Sequence, residues 1–548
     1  MKASRISTLI IALFFTSSYC SCSLSHKRQS RSRDKEREFA IGQSYAPENS
    51  RNELPIKSDI TLSDIESSAT DLYNKITDKD NAPEKVSDEI SADFHALLDS
   101  YAEFCDANTL AEIEYYSHSS DDALRNKCSQ TYEDMLKARL VVEYMIYCGF
   151  ASKYTDIFRD YITKDIRGKF KDDSSSPSTV SAFSEYYDKY HYSFYLNTYR
   201  KKSTDTVSGS HQSDLEYAET LISNLKEHKF NLYTQYNRDY TGEDIIRLNK
   251  AIKDILLPAY DELALTYLTS YEHQNNIESI THDPFDIINR YAQKLSSPFA
   301  ENAQKLIDQE LFTICSDPDA ADLSFTDIMP SQHSARIFIG DPYNRTDLLP
   351  DAIRQFGNFN AELEDDTPVF LYENNIDIAQ LHSAGMQVLF LQFYDDIYGD
   401  MSKFEKLRTV KELLDSVISG FLIGEFEYSV AIDSKDITPE EAVERFNELF
   451  SDYDYTYRLS DISSYPEKPG YCISCGVSAL AALEMYDDVF NAPEKALERY
   501  KNIADVSCHT FDSSFRSALH EAGFKDVMTE EFITELADLV MRIDAEYN

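Results

Sequence analysis

From about position 60 onward, apolar residues return at intervals of three and four. Ile65, Ala69, Leu72 and Ile76 set the pattern, which continues through 90–104, 111–116 and 132–147. Positions three and four apart share one face of an α-helix, so this spacing predicts a succession of amphipathic helices separated by acidic turns. Further helical runs are expected at 215–229, 242–269 and 285–313. Pro258 and Pro298 fall inside the last two, and a residue without an N–H should kink or divide each run there. Asp317-Pro318-Asp319 ends this part of the chain. The stretch 334–339, with Ala335, Ile337 and Ile339 before Gly340-Asp341-Pro342, is the best strand candidate. Helical spacing then resumes at 349–359, 376–398, 403–428, 439–450, 477–486, 493–504, 513–521 and 530–542. Two starts carry capping signals: Thr438 followed by Pro439 and Glu441, and Asn491 followed by Glu494. Polar breaks at 172–181 and 201–213 flank a tyrosine-dense run at 183–199 and read as surface loops, because helical patterning resumes after each. No fixed-period repeat is present, and the expected fold class is mainly α.

Composition narrows the picture. The chain has 548 residues, long enough to build a core without disulfides or metals. Its 96 acidic residues outnumber 53 basic ones, giving a formal charge of -43. Such a field repels a phosphate backbone, so no nucleic acid is expected as a partner. With 38 Tyr, 31 Phe and no Trp, the interior must be aromatic, and buried phenols should find hydrogen-bond partners at helix seams or a polar cavity.

The N-terminal stretch reads as a leader. Lys2 and Arg5 precede the apolar run 10–15 and the small residues Thr16, Ser17 and Ser18, so residues 1–22 are read as a signal peptide. Export to a periplasmic, cell-surface or secreted location is therefore expected. The run is too short to span a bilayer, and no later stretch approaches the required 20 or so residues. Cys22 also fits bacterial lipidation, although Tyr19 and Cys20 depart from the small-residue context. Residues 23–55 form a basic-to-polar arm with too little apolar content to fold, and the expected folded halves are 56–333 and 334–548.

The nine cysteines are spread too widely for a disulfide framework. Cys472-Ile-Ser-Cys475 has redox or metal spacing, and with Cys508-His509 offers ligands suited to zinc. The apolar helical pattern that follows makes ordinary packing the favoured reading. None of the 12 histidines has another four residues away, so the HExxH arrangement, in which two imidazoles on one helical face share a zinc, is absent. No GxSxG elbow, Walker loop or GxGxxG segment occurs.

Several C-terminal segments together resemble the M3 metallopeptidases, particularly the oligoendopeptidase F group. They are the run from Tyr471-Cys-Ile-Ser-Cys475 through Tyr500, the segment Ala518-Leu-His-Glu-Ala-Gly-Phe524, the segment Asp377-Ile-Ala-Gln-Leu-His-Ser-Ala-Gly-Met386, and Gly424-Glu-Phe-Glu-Tyr428. The resemblance runs from Ile60 to the C-terminus and is specific in the last 200 or so residues. It implies a large helical fold of two unequal halves around a deep channel. It also implies that Arg354-Gln-Phe-Gly-Asn358 stands where the family has His-Glu-Phe-Gly-His.

In that register Arg354 and Asn358 replace two histidine ligands, Gln355 replaces the general-base glutamate, and Gln380 replaces the third ligand. A guanidinium cannot ligate zinc, and the amides at 355 and 380 can neither carry the charge nor accept the proton. The family's histidine before its tyrosine-rich loop has no counterpart in 464–470. Tyr471 is retained, Cys475 stands where a tyrosine is usual, and the substrate-side arg-xx-gly-lys pattern is altered at 317–322. Taken without the family, 354–358 reads as a polar helix end with Gly357-Asn358 as terminator, and His382 as a buried histidine satisfied by a tyrosine or a backbone carbonyl.

The expectation is an exported protein of M3-like architecture that has lost its ancestral zinc, carries no cofactor, and binds peptides or an extended protein segment. Arg354, Gln355, Asn358, Gln380, His382 and Tyr471 would line the binding channel. An active zinc peptidase with a rebuilt site and a structural surface protein are the alternatives.

Overall fold

The computed structural model describes residues 60–78, 83–163, 166–167, 213–227, 233, 236–272, 283–345, 347–372, 375–433, 436–451, 458–459 and 469–547. The leader, the arm, the tyrosine-dense run and residues 464–468 lie outside the described residues.

Helix α1 (Leu62–Thr77) begins where Thr61 accepts from the amide of Asp64 while the Asp64 carboxylate accepts from that of Thr61, a reciprocal cap. With α2 (Pro83–Ser117) and α3 (Asp122–Phe150) it buries one apolar cluster, in which Ile65, Ala69 and Leu72 meet Phe94, Val141, Met145 and Phe158. Helices α4 (Gly242–Ala251), α5 (Leu257–Glu272), α6 (Pro284–Leu295) and α7 (Ser297–Asp308) belong instead to a larger cluster that runs to the C-terminus. The two prolines act differently. Before Pro258 the chain widens into a π-helical turn, Ile252–Leu256, and stays helical. Near Pro298 the helix is divided, because Ser296 adopts an extended conformation and caps α7.

A three-stranded sheet follows: β1 (Phe312–Cys315), β2 (Ser324–Met329) and β3 (Ser334–Gly340), in the order β1-β3-β2. Strand β3 was expected. The end of the run expected to be helical to 313 is instead strand β1, which pairs parallel to β3 with Phe312 beside Ile337. Strand β2 pairs antiparallel on the other side. It also meets α2, where the Thr109 hydroxyl donates to the Ile328 carbonyl at 2.9 Å and Tyr116 packs against Phe325.

After the sheet come α8 (Leu349–Glu364), α9 (Ile376–Phe390), α10 (Ser402–Asp433), α11 (Pro439–Ser451), α12 (Tyr471–Glu484), α13 (Pro493–Ala504) and α14 (Glu530–Tyr547). Thr438 and Glu441 cap α11 reciprocally at 2.8 and 3.2 Å, as expected. Asn491 does not cap α13. It is the last residue of the preceding short helix, so its backbone is already helical, and Ala492, at φ -149° and ψ 60°, takes the cap position ahead of Pro493.

The Arg354–Asn358 stretch does not end a helix, since α8 continues to Glu364. Gly357 serves close packing rather than termination: a Cβ there would lie 2.4 Å from the His382 carbonyl oxygen, so only glycine lets α8 approach α9 so closely. Among the described residues none of the seven cysteines is in a disulfide, and five of them are buried.

Candidate functional site

Helices α8, α9 and α12 are buried on nearly every side, so their few accessible positions are informative. Between Asp351 and Ala361 only Arg354 and Asn358 escape full burial, and Glu362 continues the same stripe one turn later. On α9 the less buried positions are Ala379 and Gln380, and from Tyr471 to Leu483 on α12 only Tyr471. Residues 354, 358 and 362 are four apart and therefore share one helical face.

Within this set the structure pairs Gln355 with Asn358 and Gln380 with Tyr471. The Gln355 carboxamide donates to the Ser324 hydroxyl at 3.1 Å and accepts from the Thr326 hydroxyl at 2.9 Å and the Asn358 amide at 3.4 Å. It clamps α8 to strand β2 through a donor and an acceptor that one uncharged side chain supplies together. The Gln380 amide donates to the Tyr471 hydroxyl at 3.0 Å, and the Cys475 sulfur lies 3.9 Å from the Gln380 oxygen.

Arg354 turns to Asp351, 2.8 Å away, whose other oxygen accepts from Arg345 at 2.7 Å. Burial alone would raise the Asp351 carboxyl, but these two guanidinium groups overcome it and hold the pKa below the ordinary value. Farther along the charged seam, burial pushes Glu412 up to about 7 against the attraction of Arg408 and Arg354.

His382 lies inside the core. Its Nε2 donates to the Ile503 carbonyl at 3.0 Å, since a carbonyl can only accept, and the Tyr500 hydroxyl donates to the His382 carbonyl at 2.8 Å. Burial lowers its pKa to about 4. The buried, satisfied histidine read from the residues alone describes it, and it joins α9 to the end of α13.

Tyr471 owes its place to a buried ionic support. Gly470, in the left-handed region at φ 83°, starts α12, and its amide donates to Glu427 at 2.8 Å. Its carbonyl accepts from Arg238, which pairs with Asp377 at 3.1 Å, both side chains fully buried. Tyr240 and Ser474 also donate to Asp377. Burial pushes Glu427 up to about 8. Arg238 was not singled out from the sequence, because no local spacing links it to position 377.

Three carboxamides and a guanidinium committed to Asp351 make a poor zinc set, since none brings an imidazole or a negative donor. A set of side chains with metal-ligating atoms lies one turn on. Glu362, Cys508 and His509 hold their ligand atoms within 4.8 Å of one another. His509 Nε2 and the Glu362 carboxylate are 2.8 Å apart, and the imidazole lies flat against Tyr372 with ring centroids 3.6 Å apart. Burial opposes charge on His509, but Glu362 and Cys508 raise its pKa well above the ordinary value, and burial pushes the Cys508 thiol up. Burial first, and then neighbouring Glu112 and Glu362, hold Asp327 far above the usual carboxylate range. The sequence reading noticed Cys508-His509 but missed Glu362, whose signal was its four-residue spacing from Asn358. Cys472 and Cys475 lie buried on α12, outside this cluster.

No family model and no curated protein matches the chain. Solved structures do. A protein described as an oligoendopeptidase F from Bacillus anthracis str. Ames is similar with a TM-score of 0.65 at 14% identity, covering 90% of this chain and 98% of its own. PZ peptidase A, solved with an inhibitor, gives 0.64 at 11% identity, covering 90% and 99%. Another structure described as an oligoendopeptidase F gives 0.62 at 12%, covering 88% and 96%. The fold is therefore the helical one of the oligoendopeptidase F structures of family M3.

Proposed function

We propose that this chain is an exported, catalytically degenerate relative of the M3 peptidases that binds peptides or an extended protein segment and does not hydrolyse them with zinc at the ancestral position. The observation that carries this reading is the fate of position 355. Where hydrolysis needs a carboxylate that can accept a proton from water, Gln355 is an amide engaged with Ser324, Thr326 and Asn358. The fold supports the binding half of the proposal, because helix walls that accept an extended chain need no metal. Arg354, Asn358, Gln380 and Tyr471 are the polar groups that would meet it. The leader supports export, and among the described residues no helix is long and apolar enough to cross a membrane.

Calorimetric titration of the purified full chain with mixed-composition peptides tests both halves. Micromolar binding is expected, weakened about tenfold by Gln380→Ala or Tyr471→Phe, with no cleavage on addition of zinc. Chelator-sensitive hydrolysis would favour the rebuilt zinc peptidase. No ligand below millimolar concentration would favour the structural-protein reading.

A further inference from the structure

The cluster at the end of α8 goes beyond this reading and does not depend on it. We propose that Glu362, Cys508 and His509 form a divalent transition-metal site of the zinc class, displaced one helical turn from the ancestral positions.

Three features of the geometry argue for it. First, the donor set is a thiol sulfur, an imidazole nitrogen and a carboxylate oxygen. Borderline-soft Zn2+ takes this mixture, whereas Mg2+ and Ca2+ prefer oxygen alone. Second, the spacing fits. Bonds of about 2.0–2.3 Å in a tetrahedron put ligand atoms roughly 3.3–3.8 Å apart, between the 2.8 Å contact of Glu362 with His509 and the 4.8 Å limit of the whole set. Shifts of about 1 Å would close the set on an ion, which would replace the hydrogen now shared by Glu362 and His509.

Third, the ligands are held from outside. Tyr372 fixes the plane of the His509 ring, and the His509 amide donates to the Ser507 hydroxyl at 3.0 Å. Ser507 in turn donates to Asp365 at 2.5 Å, just past the end of α8. The Cys508 carbonyl accepts from the Asn375 amide at 3.0 Å. A loop tied back to the helix that carries the third ligand is the outer support that metal sites rely on. Three protein ligands leave a fourth position for water or a carboxylate of a bound peptide. Glu362 lies on the accessible stripe of α8, and that position faces the same side as Arg354 and Asn358.

Co2+ titration of the metal-stripped full chain, followed by absorption and then by Zn2+ competition, tests the site directly. One equivalent should bind, with a thiolate-to-cobalt charge-transfer band in the near ultraviolet. The band should vanish in Cys508→Ser and persist in Cys475→Ser and Gln380→Ala. Glu362→Gln keeps a hydrogen-bond partner for His509 while removing the charge, and should weaken metal binding at least tenfold. His509→Ala should weaken it about a hundredfold, the upper range for disturbing even outer-shell partners. Absence of the band in the wild-type chain, or a band that survives Cys508→Ser, would overturn the proposal. So would Zn2+ binding weaker than about 0.1 mM.

Discussion

Two stretches of the same helix, a turn apart, have come to opposite chemistry. At 354–358 the side chains are a guanidinium neutralised by Asp351 and two carboxamides that bond to each other, one of which, Gln355, also bonds to strand β2. At 362 a carboxylate meets an imidazole and a thiol delivered by the loop after α13. The backbone is one continuous α8, so the contrast comes from side-chain type and partners rather than from fold. Helix geometry decides where a side chain can act, and the donor atoms decide what it can do.

The most severe test of that contrast is to exchange donors at the first stretch. Arg354→His, Gln355→Glu, Asn358→His and Gln380→Glu, combined, should create a second zinc equivalent of micromolar affinity, about 8 kcal/mol of binding, read by metal analysis after dialysis. If the four positions do not converge, the variant will gain no zinc and the ancestral register is wrong.

His382 links the two stretches, because its carbonyl meets Gly357 while its ring holds Ile503, the residue before the end of α13. Its folded pKa, about 4, lies below the unfolded value near 6.5, so the unfolded chain takes up the proton first. Its contribution is therefore present above about pH 6.5 and lost as pH falls toward 4, by on the order of 3 kcal/mol at full effect. His382→Gln can still donate to Ile503 but does not titrate. Denaturant midpoints of the two proteins should diverge across that window, with the wild type losing more as the solution is acidified, and parallel curves would refute the assignment.

A smaller effect is expected from Gly357→Ala. The added methyl would press on the His382 carbonyl and on Met386 Cβ, 2.9 Å away, at a cost of about 2 kcal/mol as the helices part. Thermal melting should show the loss, and an unchanged midpoint would mean that the α8–α9 contact yields more easily than its spacing implies.

Much of this arrangement was legible in the residues. Regular three- and four-residue spacing announced the helices, and the β-branched alternation of 334–339 announced β3. Strand β1 was not, because four residues following an amphipathic helix give periodicity too little length to change from 3.6 to 2. Strand β2 was hidden in the same way, since Thr326 and Asp327 interrupt its apolar positions. Gly357 was misread as a stop because its need arises from α9, which no local pattern shows. The pairing of Gln355 with β2 and of Glu362 with the 508–509 loop likewise joins residues distant in sequence. Spacing along one helix could show that 354, 358 and 362 share a face, but not what meets them there.

Thiols rather than disulfides occupy all seven described cysteine positions, and this bears on how the chain reaches its folded state. In the native protein, burial pushes the Cys105 thiol up to about 12 and Cys148 up to about 11, far from the thiolate form that reacts. Before folding, the same thiols are open to solvent, with an ordinary pKa near 8.5 and many possible partners. Protection against oxidation is thus a product of folding itself. The helices must close over these sulfurs faster than stray disulfides can form, and in any oxidising compartment chain maturation becomes a contest of rates.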